Sequence, residues 1–93
     1  MVVASLRIDL VIPGSASLKD KRHAVRSLRD RIRSRFNVSV AEVDHQDLWQ
    51  RAALGIAVVS ADGQVVREVL DNVRRLIEQD VRVSVLDAHI EIV

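Results

Sequence analysis

The spacing of the aliphatic residues alternates between the period of a β-strand and that of an α-helix along this sequence. From Leu6 to Ile12 an aliphatic side chain occupies every second position, which is the pattern of a strand with one buried face. Pro13 and Gly14 then end the pattern, because proline lacks an amide donor and glycine tolerates the backbone angles of turns. The first predicted element is therefore a strand followed by a turn.

A helical period follows between Ser17 and Phe36. Ser17 and Asp20 have the spacing of a capping pair, whose side chains accept hydrogen bonds from free backbone amides at the first helical turn. Asn37 is the expected end of the helix, because asparagine tolerates the left-handed conformation in which many helices stop. The apolar side chains of this segment share one arc of roughly 80° at about 100° per residue. They are Leu18, Val25, Leu28, Ile32 and Phe36.

Two strands and a second helix are predicted next. Val38–Val43 and Ala52–Val59 are rich in valine, alanine or isoleucine, and the nearly continuous apolar character of the second is typical of a central strand. Asp44–Asp47 is the predicted connection between them. The second helix starts within Ser60–Gly63, and its apolar positions from Val65 to Ile77 cover an arc of roughly 140°, as in a helix packed on a sheet.

The last predicted strand, Val81–Val93, contains a change of parity. Its apolar residues occupy odd positions before Leu86 and even positions from there on, so we expect a bulge or bend near Leu86–Asp87. The complete order is β-α-β-β-α-β. With right-handed crossovers it predicts an α+β ferredoxin-like sandwich, a four-stranded antiparallel sheet with both helices on one face. At this length we expect residues 1–93 to form a single domain.

The composition leaves little room for catalytic chemistry. Cysteine is absent, no serine stands in a G-x-S-x-G context, and three glycines form no phosphate loop. Asp44, His45 and Asp47 are the one cluster with the character of a metal or acid–base site, but an exposed polar hairpin has the same composition. We therefore predict no enzymatic activity, no cofactor and no metal, with a small-ligand or metal site at these three residues as a weaker alternative.

The apolar start of the chain does not resemble a targeting segment. Arg7 and Asp9 interrupt it, and no basic stretch precedes it. No apolar run approaches the roughly 20 residues that span a bilayer. These features predict a cytoplasmic protein without a membrane partner.

The formal net charge of +1 conceals two opposite halves. Residues 1–36 contain nine basic and three acidic side chains, whereas residues 37–93 contain five basic and ten acidic ones. The halves therefore carry +6 and −5, and the average charge says little about partners.

The first helix concentrates the positive charge. Four of its arginines stand at positions i, i+4, i+7 and i+11, inside an arc of about 60°. Lys19, Lys21 and Arg22 lie near the helix start, where cations oppose the helix dipole. Arginines at this spacing also repel one another. A bound phosphate would relieve the repulsion and the dipole penalty, and it would accept hydrogen bonds from free backbone amides. The predicted anion-binding or RNA-binding residues are Lys19, Lys21, Arg22, Arg26, Arg29 and Arg33.

Two interpretations of this charge stay open. In one, structured RNA, such as ribosomal RNA, is bound through its phosphates, since the first and third strands carry no aromatic residue on which bases could stack. In the other, the arginines form a solvated face whose stems cover apolar surface and whose charges pair with acids elsewhere in the fold.

Trp49 is the other candidate for a partner contact. It follows the polar connection, where it either packs against the edge of the core, the favoured interpretation, or anchors an interface. The predicted sheet leaves Val38–Val43 and Val81–Val93 as edge strands, which could pair with a second copy. The −5 part of one chain could also meet the +6 part of another. A homodimer is therefore an alternative to RNA binding.

Several segments resemble the signature stretches of the YlxP-like family of small bacterial proteins. They are Ser17–Arg22, Phe36–Val43, Asp47–Ala52 and Leu54-Gly55, in family order and across essentially the whole chain. The resemblance implies a ferredoxin-like fold, but no activity and no catalytic residues, because the family's function is unassigned. Its genes tend to lie beside genes for translation initiation and ribosome maturation. The leading hypothesis is a non-enzymatic RNA-binding protein, and the alternative is a self-associating or protein-interaction module.

Overall fold

The computed structural model describes residues 1–93 and confirms the predicted ferredoxin-like architecture. Its elements are β1 (Val2–Val11), α1 (Leu18–Arg35), β2 (Ser39–Asp44), β3 (Arg51–Ser60), α2 (Gly63–Glu78) and β4 (Ser84–Ile92). The strands form one four-stranded sheet in the order β2-β3-β1-β4, and all neighbouring strands are antiparallel. β2 and β4 are the edge strands, as predicted.

The core lies between the sheet and the two helices. In β1 the even-numbered side chains from Ala4 to Leu10 are completely buried, as the alternation predicts. They pack with the buried sides of α1 and α2, where Leu28 and Leu70 are almost fully covered. The core is aliphatic, and Val65 is the one residue of the predicted apolar arc of α2 that lies exposed. Neither helix has the length and apolar character needed to cross a membrane.

The two ends of α1 form differently from one another. At its start the capping pair is confirmed, because Ser17 Oγ accepts from the backbone N–H of Asp20 at 3.1 Å and Asp20 Oδ2 accepts from that of Ala16 at 3.0 Å. At its end the predicted stop at Asn37 is wrong. Phe36 already has extended backbone angles, with φ −132° and ψ 141°, and Asn37 does not have a positive φ. The half-buried Phe36 packs against the core and leads the chain directly toward β2.

Pairing with neighbouring strands accounts for two features of the sheet, the early start of β1 and an irregularity in β4. β1 begins at Val2 because its first residues pair with the end of β3, where Val2 faces Ser60. The predicted bulge in β4 is confirmed. Asp9 pairs with Asp87 but Leu10 pairs with Val85, so Leu86 is the extra residue that changes the parity.

Candidate nucleic-acid interface

Five of the six predicted anion-binding residues share one side of α1. Their angles around the helix fall within about 80° at 100° per residue, and Arg29 is half-buried whereas the other four are exposed. We call these five residues the basic surface. They are Lys19, Arg22, Arg26, Arg29 and Arg33.

Lys21 does not belong to this surface. Its side chain is 0% exposed, and Nζ donates to Glu42 Oε2 at 2.9 Å and to the backbone oxygens of His45 and Gln46 at 2.8 and 3.0 Å. An ammonium group has three protons, so these three bonds leave none for an external anion. Lys21 instead ties α1 to the connection between β2 and β3.

The start of α1 offers little to a phosphate. Ser17 Oγ already accepts from the amide of Asp20, and the Asp20 carboxylate lies at the helix start, where its negative charge complements the dipole. The backbone amides at the start of α1, which the sequence suggested as anion donors, are therefore less available than the exposed side chains of the basic surface.

The exposed cations of the basic surface have no carboxylate partners. Lys19, Arg22, Arg26 and Arg33 form none of the ion pairs of the protein. Arg29 has one weak contact, 3.8 Å to the adjacent Asp30, and Arg33 donates to the backbone oxygen of Val40 at 3.1 Å. Pairing with acids elsewhere, as the solvated-face interpretation requires, does not occur for these four side chains.

A shallow groove of about 130 Å³ runs between the basic surface and the edge strand β2. Arg22, Arg26 and Arg29 line its helix side, and Glu42 lines its strand side. The charge of Glu42 is balanced by Lys21 at 2.9 Å, so it opposes an incoming anion less than a free carboxylate would. Nε of Arg29 is buried there without a hydrogen-bond partner.

Two residues of β1 contact the predicted cluster of Asp44, His45 and Asp47. Arg7 Nη2 donates to Asp44 Oδ2 at 3.2 Å and Arg7 Nε to Asp9 Oδ2 at 3.4 Å, while His45 Nε2 lies 3.6 Å from Asp9 Oδ1. Asp47 takes no part in these contacts. No three histidine, aspartate or glutamate side chains come together in the geometry of a metal site.

Hydrogen bonds shift the pKa of Asp44 and of its partner Arg7. The backbone N–H of His45 donates to Asp44 Oδ1 at 2.8 Å, and this bond, followed by that from Arg7, lowers the pKa of the Asp44 carboxyl. The bond to Asp9 is the main cause that raises the pKa of Arg7. His45 has a left-handed backbone, with φ 63°, and the bond from its amide to Asp44 Oδ1 lies in the same turn. A carboxylate whose pKa is lowered first by a backbone amide and then by an arginine is suited to surface pairing rather than to acid–base chemistry.

Trp49 is 56% exposed, so the prediction that it packs against the core edge is wrong. The neighbouring Leu48 is also exposed. The backbone beside them is nevertheless fixed. Gln50 Nε2 donates to the backbone oxygens of Pro13 and Ser15 at 3.3 and 3.1 Å, and Gln50 O accepts from the amide of Ile12 at 2.9 Å. An exposed tryptophan therefore stands on an ordered turn.

Comparison with known proteins identifies the family. A family model described as "Protein of unknown function (DUF503)" matches residues 3–90. The chain belongs to the DUF503 family. This DUF503 protein is also 36% identical over 70 residues to the "Uncharacterized protein YlxP" of Bacillus subtilis (strain 168), a match that covers 75% of this chain and 76% of that protein. The resemblance to the YlxP-like family is therefore confirmed.

The similar solved structures support the fold of this DUF503 protein. The solution NMR structure of the de novo designed protein LFR1 1, with ferredoxin fold, has a TM-score of 0.59 at 13% identity and covers 100% of this chain and 84% of that one. The de novo designed protein Foldit4 has a TM-score of 0.52 at 14% identity, with 99% and 94% covered. At these identities the likeness concerns the fold alone.

Two features of this DUF503 protein show what sequence reasoning missed in the site. Lys21 falls between Leu28 and Val25 in angle around α1, inside the apolar arc, so helical periodicity alone indicated that it is buried. Nothing comparable placed Arg7 and Asp9 beside Asp44. That contact depends on how β1, β3 and β2 pair across the sheet, which no local pattern specifies.

Proposed function

We propose that this DUF503 protein is a non-enzymatic protein that binds structured RNA, ribosomal RNA included, through the basic surface of α1. The observation that carries the proposal is that Lys19, Arg22, Arg26 and Arg33 are exposed and have no carboxylate within ion-pair distance. Cations that neutralise phosphates release condensed counterions, which is the main sequence-independent source of nucleic-acid affinity.

The mode of binding follows from the side chains available. Phe36 and Trp49 are the two aromatic residues, and both lie outside the strands, so the sheet provides no platform for base stacking. From Arg22 to Arg33 the helix rises about 16 Å at 1.5 Å per residue, which reaches several successive phosphates of one strand. Contacts of this kind position RNA by its shape and carry little sequence preference.

The translation-associated gene neighbourhood of YlxP-like proteins agrees with a ribosomal target. It supplies the reason to use ribosomal RNA as the first probe. The affinities for a folded RNA and for an unstructured single strand of equal length are then compared. Tighter binding of the folded RNA indicates recognition of shape, and equal binding indicates general attraction to phosphates.

The test compares two charge-reversed proteins that differ only in where the charge changes. Arg22→Glu/Arg26→Glu alters the basic surface, and Arg67→Glu/Arg75→Glu makes the same change at exposed positions of α2. We expect the first variant to bind folded RNA at least 10-fold more weakly. The slope of the logarithm of its affinity against the logarithm of the salt concentration should fall by the equivalent of about two phosphate contacts. The α2 variant should stay within about 2-fold of wild type. Weak and equal affinity of all three proteins would contradict the proposal.

Self-association is the second candidate, and the exposure of Trp49 favours it. Trp49 and Leu48 form an apolar tip on an ordered turn, and the sheet edges β2 and β4 have unpaired backbone groups. Sedimentation at low and high salt tests it with wild type and Trp49→Ala. A salt-insensitive dimer that weakens in Trp49→Ala supports edge and apolar contacts, and a salt-labile dimer supports pairing of the oppositely charged halves. A monomer under all conditions would rule this candidate out.

A further inference from the structure

A second groove, of about 500 Å³, lies at the other side of α1. Its walls are the β1–α1 connection at Pro13 and Gly14, the first turns of α1, and Val81 and Arg82 after α2. This volume lies within the roughly 300–1,000 Å³ of typical small-ligand sites. We call it the connection groove. Lys19 is the one residue that it shares with the basic surface.

The lining of the connection groove contains two basic side chains, one histidine and one acid. Lys19 and His23 stand one turn apart on α1 and contact the groove together with Arg82, whereas Asp20 is its single acid. Neither Lys19 nor His23 forms an ion pair within the protein. Their donors are therefore free for a ligand that carries negative charge.

Arg82 is held in place at the groove by Asp80. Asp80 is 5% exposed and accepts from Arg82 Nε at 3.0 Å and Arg82 Nη2 at 2.8 Å, and Nη2 also donates to Ser27 Oγ at 3.1 Å. Asp80 accepts from Arg31 Nη1 at 3.2 Å as well. These bonds leave Nη1 of Arg82 without a protein partner. A guanidinium fixed in this way loses little side-chain entropy when it binds an anion.

The hydrogen bonds from Arg82 are the main cause that lowers the pKa of Asp80, and those to Asp80 raise the pKa of Arg82. Asp80 is therefore ionised and Arg82 is charged at neutral pH. Asp80 acts as a positioning residue, because it orients the guanidinium and does not itself line the groove.

Apolar surface completes the connection groove. Ile12 and Ala24 are buried beneath it, Pro13 forms part of the wall, and Val81 at the rim is 99% exposed. A fully exposed valine beside a fixed arginine gives an apolar contact next to a cationic one. The groove thus suits a ligand with an apolar ring system and an attached anion, rather than a simple inorganic ion.

We propose that the connection groove binds a phosphorylated nucleoside, with the phosphate at Lys19, His23 and Arg82 and the base against Pro13 and Val81. The same chemistry occurs in a free mononucleotide and at the 5′-phosphorylated end of an RNA chain. This site shares Lys19 with the basic surface, but His23 and Arg82 do not belong to that surface, and Arg22 and Arg26 lie outside the groove.

Titration of ¹⁵N-labelled full-length protein with AMP tests the proposal by NMR. We expect saturable shift changes in the amides of residues 14–15, 19–24 and 81–82, with at least 5-fold weaker binding of both adenosine and inorganic phosphate. Absence of saturable changes, or equal binding of phosphate alone, would overturn it. The last titration uses a 5′-phosphorylated tetranucleotide in place of AMP. If it binds the same residues more tightly than AMP, the site takes an RNA end; if it binds more weakly, the site takes the free nucleotide.

Matched variants separate this site from the basic surface. Lys19→Ala/His23→Ala changes two exposed side chains, so folding is preserved, and we expect AMP affinity to fall at least 10-fold. Arg22→Ala/Arg26→Ala serves as the control with the same kind of truncation and should keep AMP affinity within about 2-fold, whether or not it still binds RNA. If Lys19→Ala/His23→Ala binds AMP as wild type does, the proposal is wrong.

Discussion

The two helices cover the same face of the sheet but differ sharply in charge. α1 contains eight lysines and arginines against two aspartates, a balance of +6, whereas α2 contains three basic and three acidic side chains and is neutral. Both helices bury five residues and both have a side-chain N-cap. Because α2 packs equally well without excess charge, the charge of α1 is not needed for packing and is available for a partner.

The cations of α1 also differ among themselves. Lys21 and Arg31 point to acids of other elements, Glu42 and Asp80, at 2.9 and 3.2 Å. The basic surface makes no such contacts except the weak one of Arg29. The same helix therefore contains cations paired with acids of other elements and cations without such partners. The following predictions test whether the two groups differ in their contribution to stability.

The largest expected effect is the loss of stability when one buried leucine of each helix is truncated, and this loss should be equal in the two helices. Leu28→Ala in α1 and Leu70→Ala in α2 each remove an almost completely buried side chain. We expect each to lower the free energy of unfolding by about 3–4 kcal/mol, through lost apolar burial and the cavity left behind. Urea unfolding at constant ionic strength measures both. A difference of more than about 2 kcal/mol would mean that the helices do not contribute equally to the core.

Lys21→Met should destabilise the protein by about 3 kcal/mol, because it leaves Glu42 and two backbone oxygens without their donor. Arg22→Met, one residue further along α1, is the matched control and should change the free energy of unfolding by less than about 0.5 kcal/mol. Urea unfolding of both variants makes the comparison. Equal effects would show that exposed and buried cations of α1 have the same role.

The ionic link between α1 and the segment after α2 should give a pH dependence. Asp80 is ionised with a lowered pKa, so its contribution to stability is present above the unfolded value near 3.8 and is lost as the pH falls through the lower folded pKa. Asp80→Asn should cost about 2 kcal/mol at pH 7. The difference from wild type should shrink below pH 4. Thermal unfolding between pH 2 and 7 tests this, and a difference independent of pH would contradict it.

The smallest expected effects are those of the helix caps. Ser17→Ala and Asp62→Ala each remove the acceptor for one amide at a helix start, of Asp20 and Gln64 respectively. Each should cost about 1 kcal/mol. Ser34→Ala, which removes an exposed hydroxyl inside α1, is the control and should be nearly neutral. If Ser17→Ala proves neutral while Asp62→Ala does not, Asp20 alone holds the start of α1.

Much of the fold follows from local patterns. The period of two in β1, the capping pair at Ser17 and Asp20, and the parity change at Leu86 each correspond to an observed feature, because each depends on residues close in sequence. The end of α1 did not follow, since the helix stops at Arg35 and the extended Phe36 packs against the core, without a left-handed residue at Asn37.

The sequence alone determined the element order, the aliphatic core and the concentration of positive charge in α1, because period and composition are properties of consecutive residues. Only the tertiary structure decided which cations are free. Arg7 lies 3.2 Å from Asp44 and Arg31 lies 3.2 Å from Asp80, whereas the four exposed cations of the basic surface have no carboxylate partner. The reason is physical: whether a charge is paired depends on which distant carboxylate the fold brings within about 4 Å, and that distance is set by strand order and helix packing.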